Sequence, residues 1–274
     1  MKNAFLYGEL DRDIYMEQPL GFVSKEFPKH VCRLKKALYG LKQAPRAWHG
    51  KIAEYFKLCG FYPSNSYSSL FVKMKALLSI MILLYVDDMI VTGDDTDEIM
   101  RLQEDLSVRF EMKSLGEARC FLGLELKHSD GFFLSQQGYA VKILKRFDME
   151  RSNSTTTPMD PGFKLQKNEG ELLHDITEYC RMVGSLLYLT VTRPDITFSV
   201  GIISQFMERL CVGHMAAAIR ILRYVKGTLN HGLLYQQKGI YSLQGYVETD
   251  WAGNVNDRRS MAGYCFNLGS AVIF

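Results

Sequence analysis

Between the apolar runs Ile80–Leu84 and Met89–Val91 stand four residues, Tyr85-Val86-Asp87-Asp88, that constrain this chain more than any others. Two strand-like apolar segments meeting at adjacent carboxylates read as a β-hairpin with two negative charges at its tip. Such charges are costly on an otherwise greasy hairpin unless a counter-charge sits beside them. Hard divalent cations meet that need, because they take oxygen ligands and bind through one or two carboxylates plus substrate phosphates. In two-metal sites the ions, roughly 3.5–4 Å apart, clamp the attacking and leaving oxygens of a displacement. The alternative is plain turn chemistry, for which Asp is well suited. The four residues alone leave both readings open.

Charge distribution adds more than the net value of +3. Lys29, Arg33, Lys35, Lys36, Lys42, Arg46, Lys51 and Lys57 face a single acid, Glu54, whereas Asp87, Asp88, Asp94, Asp95, Asp97 and Glu98 share their stretch with no Lys or Arg. A basic stretch and an acidic focus in one fold suit a polyanion held by its backbone while cations occupy the carboxylates. A solvated helix face explains the basic stretch equally well. With 15 Tyr and 16 Phe, the chain has ample material for a packed core. Its six cysteines are scattered without metal-knuckle or redox spacing, as expected of reduced thiols. The opening Met-Lys-Asn lacks a signal-peptide core. The apolar run Leu77–Val86 is too short to span a bilayer. An intracellular protein with no targeting signal and no membrane contact is expected.

Along the chain, Val31–Leu34 predicts a short strand, and Pro45 fits the first turn of a helix. Trp48, Ile52, Tyr55, Phe56 and Cys59 recur at helical spacing before a Gly60 stop. Leu70–Lys73 and Leu77–Leu84 are strand-like. Asp95–Phe110 is amphipathic, with Ile99, Leu102, Leu106 and Phe110 on one face. Strands are expected around Cys120–Leu126 and Phe132–Ser135, and a helix over Tyr139–Phe147. Ser152–Pro161 has a linker's composition. Thr177–Thr192, Asp195–Met207 and His214–Lys226 predict three helices. The last should bury Ala217, Ile221, Tyr224 and Val225, leaving Arg220, Arg223 and Lys226 outside. Leu243–Val247 and Gly263–Leu268 read as strands joined by a polar segment, Asp250–Ser260.

The ordered blocks Lys2–Gly8, Tyr15–Pro19, Leu34–Trp48 (LKKALYGLKQAPRAW), Tyr85–Asp88, Phe121-Leu122-Gly123 and Thr157-Pro158-Met159 are followed by Val183–Leu189, Thr192-Arg193-Pro194-Asp195, Arg220–Thr228 and Asp250-Trp251-Ala252-Gly253. Through them the chain resembles the copia-type long-terminal-repeat retrotransposon Pol polyprotein, in its reverse transcriptase and the start of its ribonuclease H. The resemblance implies an α+β fold. Residues 1–150 would be a reverse-transcriptase palm, an antiparallel sheet with packed helices and incomplete fingers. Residues 151–162 would be a linker, 163–238 a helical thumb or connection region, and 239–274 a truncated ribonuclease H-like β segment.

The resemblance also implies roles. Asp87 and Asp88 would hold catalytic Mg2+ or Mn2+ in a two-metal site, with Tyr85 and Val86 flanking the primer terminus. The segment with Gly40, Gln43 and Pro45 would pack beneath template base and incoming nucleotide, Gly40 allowing close approach. Phe121–Gly123 resembles a primer-grip hairpin. Lys35, Lys36, Lys42, Arg46, Arg220, Arg223 and Lys226 could contact nucleic-acid backbone, the partners being RNA template, DNA primer and deoxynucleotides. Glu248 and Asp250 would be a ribonuclease H remnant, with Glu248 where that family has Asp. In the family's first block an Asp, the third metal carboxylate, precedes Val-Lys-Asn-Ala-Phe-Leu. Here Met1 takes the Val position, so an impaired or inactive polymerase is expected. Ser114, Cys180, Tyr67 and Leu210 are smaller departures. A non-catalytic nucleic-acid-binding remnant and a functionless product of a decayed element are the alternatives.

Overall fold

A computed structural model of the chain describes residues 4–75, 77–128, 131–160, 162, 165–167, 170–207, 209–236, 242–253 and 258–273. Contacts group the chain into two compact units, Met1–Ala118 and Arg119–Phe274. All strand pairing in both is antiparallel, and helices pack with the sheets, so the α+β expectation holds.

The first unit opens with a 3-10 turn, Ala4–Tyr7, and a small hairpin of β1 (Tyr15–Glu17) and β2 (Val31–Arg33). Helix α1 (Ala44–Leu58) begins where Pro45 can give up its missing N–H at no cost, and Gly60, at φ +84°, stops it. Strands β3 (Tyr62–Pro63), β4 (Leu70–Lys75), β5 (Leu78–Tyr85) and β6 (Asp88–Gly93) form a sheet in that order. Helix α2 (Thr96–Phe110) is capped by Asp95, whose carboxylate accepts the Glu98 N–H at 3.0 Å. Period-2 alternation sends Ile80, Ile82 and Leu84 of β5 inward, onto Ile52 and Phe56 of α1 and Leu102, Leu106 and Phe110 of α2. The predicted faces of both helices are the buried ones.

In the second unit β7 (Cys120–Phe121), β8 (Leu124–His128), β9 (Gly131–Ser135) and β10 (Leu233–Gln236) form a sheet ordered β10-β9-β8-β7. The strand expected around Cys120–Leu126 is two short ones, β7 and β8, joined as a tight hairpin at Phe121–Gly123. Leu122 and Gly123, at φ +51° and +77°, reverse the chain in its middle. Helices α3 (Gln137–Arg146), α4 (Ile176–Leu189), α5 (Thr197–Ser204) and α6 (Val212–Gly227) share one apolar core. The helix expected over Asp195–Met207 is split, with a 3-10 turn at Pro194–Ile196 ahead of α5. On α6 the buried positions are His214, Ala218, Ile221, Leu222 and Val225. The stripe that α3, α4 and α5 cover runs through Ala218 and Leu222, which leaves Ala217 and Tyr224 half-buried at its edge, where the Tyr224 hydroxyl donates to Asp195. Strands β11 (Leu243–Asp250), β12 (Met261–Leu268) and β13 (Ala271–Val272) make a third sheet, β11 exposed along its whole length. No helix among the described residues is long and apolar enough to cross a membrane.

Candidate metal and nucleotide site

Asp87 and Asp88 sit where the sequence puts them, at the β5–β6 turn. Tyr85 pairs with Asp88, leaving Val86 and Asp87 as a two-residue connection. Hairpins of this length favour positive φ at the first loop position, where glycine is usual. Here that position is Val86, at φ +52°. For a β-branched residue this is a steric outlier that costs about 1–3 kcal/mol and persists only where surroundings enforce it. Asp87 is half-buried, Asp88 and Tyr85 exposed.

Three segments converge on this turn. The indole N–H of Trp48, on α1, donates to the Val86 carbonyl at 2.6 Å. Tyr7 and Phe110 hold the indole with ring centroids at 6.0 and 5.5 Å. Tyr39, just ahead of Gly40, packs on Phe5 at 4.3 Å. Its phenol is raised above the ordinary range by partial burial and by the neighbouring charge of Asp87. Thus Ala4–Gly8, the Leu38–Ala44 segment and the hairpin, far apart in the chain, meet around Trp48. Of the first matched block, Lys2 and Asn3 lie outside the described residues. Sequence reasoning placed Trp48 only in the helix core and did not single out Tyr39. The available signal was that a buried indole N–H needs an acceptor.

Gly40, exposed at φ +94°, has open space where a Cβ would stand. Its need for glycine comes from backbone conformation, not from close packing inside the chain. Gln43 is the α1 N-cap residue, half-buried, yet its side chain makes no cap bond. Lys35, Lys36, Lys42 and Arg46 are all exposed. Lys36 lies 3.8 Å from Glu9, and no ion pair among the described residues engages the other three.

The remaining expected site residues belong to the second unit. Arg220, Arg223 and Lys226 direct their donors at Ser152–Asp160, the expected linker, which is thereby laid along α6. Arg220 Nη2 donates to Thr157 Oγ1 at 2.9 Å, Arg223 Nε to the Asn153 carbonyl at 2.6 Å, and Lys226 Nζ to the Ser152 carbonyl at 2.5 Å. Pro161 lies outside the described residues. At Phe121–Gly123 the Tyr188 hydroxyl of α4 donates to the Leu122 carbonyl, pinning the turn. Glu248 and Asp250, two apart on β11 and so on one face, border a cleft with Phe198, Ile202 and Gln205.

Among the described residues no group of three or more His, Cys, Asp or Glu is arranged to hold a metal ion. The Asp87-Asp88 pair has the right donors for a hard dication that keeps waters and phosphates as its other ligands. Neither carboxylate is engaged by a hydrogen bond or ion pair among the described residues. Two carboxylates fit one such ion and fall short of a closed pair.

Comparison with known proteins gives a consistent result. Residues 1–161 match the family described as reverse transcriptase (RNA-dependent DNA polymerase). The chain is 45% identical over 270 residues to the retrovirus-related Pol polyprotein from transposon RE1 of Arabidopsis thaliana, covering 98% of this chain and 18% of that protein. It is 38% identical over 286 residues to the Pol polyprotein from transposon TNT 1-94 of Nicotiana tabacum, covering 100% of this chain and 21% of that protein. A putative transposon Ty5-1 protein of Saccharomyces cerevisiae is 32% identical over 273 residues, covering 98% of this chain and 89% of that protein. The chain thus spans about a fifth of the two Pol polyproteins. No solved structure was found to match it.

Proposed function

This chain belongs to the reverse transcriptase family of copia-type retrotransposon Pol polyproteins, and from that premise we propose that residues 1–118 carry part of a template-directed nucleotidyl-transfer site centred on Asp87 and Asp88. The observation that carries this reading is the meeting of the Gly40 segment and the strained Tyr85–Asp88 turn around Trp48. In this reading Asp87 and Asp88 hold divalent metal, Mg2+ or Mn2+. When bound, the metal in such sites activates the primer hydroxyl and offsets charge on the leaving pyrophosphate. Gly40 presents bare backbone to the template base and incoming deoxynucleotide. The uncommitted Gln43 side chain offers a hydrogen bond, and Pro45 fixes the helix start behind it. Tyr85 and Val86 flank the primer end. Lys35, Lys42 and Arg46 meet nucleic-acid phosphates.

Assayed with the residues that the family carries ahead of position 1, including its third carboxylate, the chain is expected to show Mg2+- or Mn2+-dependent primer extension on an RNA template that Asp88→Asn abolishes. Extension indifferent to Asp88→Asn overturns the site.

A second reading, nucleic-acid binding without catalysis, is favoured by the exposed cations around Gly40. It predicts salt-dependent affinity for an RNA–DNA duplex, lost when Lys35, Lys36, Lys42 and Arg46 are neutralised together. Absence of binding at low salt would sink it.

A further inference from the structure

We propose that Trp48 is a positioning residue for the Asp87-Asp88 pair: its indole N–H holds the Val86 carbonyl and keeps the turn in its left-handed conformation. The inference rests on the reading of Asp87 and Asp88 as metal ligands.

A two-residue connection calls for positive φ at its first position, but a β-branched side chain disfavours φ +52° there and no glycine shares the turn, so Val86 holds that conformation against a steric penalty. Strand pairing sets the length of the connection but gives the Val86 carbonyl no partner, because the β5–β6 register ends at Tyr85 and Asp88 and leaves that carbonyl outside the ladder. What holds that carbonyl is a donor 38 residues away, at 2.6 Å. The donor is itself fixed: Trp48 is 1% exposed, on a fifteen-residue helix, with Tyr7 and Phe110 against its ring. The ring cannot follow the turn, so the turn must meet the ring. Without the N–H, Val86 relaxes toward negative φ, the Val86–Asp87 peptide reorients, and Asp87 moves relative to Asp88. The two carboxylates then lose the fixed spacing that a shared ion requires.

The test replaces only the N–H. β-(3-Benzothienyl)alanine at position 48 keeps the bicyclic ring and puts sulfur in place of N–H; Trp48→Phe is the genetic counterpart, checked for folding by circular dichroism. Hydrogen exchange of segment 84–92 is measured in metal-free chain 1–274, and Mn2+ affinity by water-proton relaxation. Loss of the N–H is expected to speed exchange in 84–92 at least tenfold, with α2 changed less than twofold, and to weaken Mn2+ binding at least fivefold. Adding Val86→Gly, which removes the steric penalty, should bring Mn2+ affinity back within twofold of the starting chain. Unchanged exchange and affinity, or a loss that Val86→Gly does not repair, overturns the inference. The Asp87→Asn/Asp88→Asn variant separates the two claims. If it still binds Mn2+ like the starting chain, the metal reading fails, while exchange at 84–92 still decides whether Trp48 sets the turn.

Discussion

Gly40 and Gly50, on either side of the α1 N-terminus, should respond oppositely to the same added methyl group. Both have open space where a Cβ would go. Gly40, however, is held at φ +94°, where an L side chain is strained. Gly40→Ala is expected to cost about 1–2 kcal/mol. Gly50 lies exposed inside a regular helix, so Gly50→Ala should stabilise by about 0.5–1 kcal/mol. Urea unfolding of the two variants checks both signs. A second residue-scale case is Asp195. Burial, the largest single effect, pushes its carboxyl up, but the Arg193 hydrogen bonds from Nε and Nη2 at 2.9 and 2.7 Å, the Arg193 charge and the Tyr224 hydroxyl together outweigh it, and the net value lies below the ordinary 3.8. A lowered folded value means stability present above the ordinary value and lost as pH falls through the folded one. Arg193 is 2% exposed, so Asp195→Asn strands a buried cation and should cost about 2–3 kcal/mol at pH 7. Its loss of stability in acid should be correspondingly shallower in a pH series of melts.

The start of α6 is an element held by one titratable ring. His214 accepts the Cys211 N–H at Nδ1, 3.0 Å, and its Nε2 lies 3.1 Å from the Gln166 carbonyl. That pair of partners fits the neutral ring with hydrogen on Nε2, capping α6 while tying the 166 region to it. Phe206 stacks on the ring at 4.3 Å. Burial lowers the imidazole below its ordinary 6.5, against the hydrogen bond to Gln166. Because the folded value is the lower one, the contribution is complete above pH 6.5 and fades as pH falls through the folded value. Protonation sets a second N–H against that of Cys211. The melting temperature should therefore drop between pH 7 and pH 5. His214→Gln, which can keep both bonds without titrating, should flatten that slope, and an unchanged slope would rule out this cap as its cause. At the other end of the same helix, Arg220, Arg223 and Lys226 bind Ser152–Asp160. An outward-facing cation is thus no guide to a phosphate contact, because donors close to a chain segment are satisfied by its carbonyls first.

At the scale of the molecule, residues 111–119 join the two compact units without regular structure, and Lys113 and Arg119 are exposed there. Limited trypsin digestion should cut early at one of them and release two protease-resistant pieces, identifiable by intact mass. Survival of this connector after other exposed sites are cut would argue against two separable units. Much of each unit was legible beforehand. The faces of α1 and α2, the β5–β6 hairpin and the cap at Asp95 follow from patterns within a few residues, since helix period, strand alternation and capping are short-range physics. The misread elements share one cause. At Leu122–Gly123 the residues alone were compatible with plain strand as well as with the hairpin that the resemblance implied, because a Leu with positive φ leaves no compositional mark, and the turn is secured by Tyr188 from another helix. The buried stripe of α6 depended on how many neighbours cover it. By itself the sequence determined the family and most of the element order, and placed the two carboxylates at a hairpin turn, because these reside in motifs and local periodicity. Only the tertiary structure decided that Trp48 grips the Val86 carbonyl and that the α6 cations hold residues 152–160. Those bonds join residues 38 to 74 positions apart, and nothing in either local segment specifies which distant donor will meet which carbonyl.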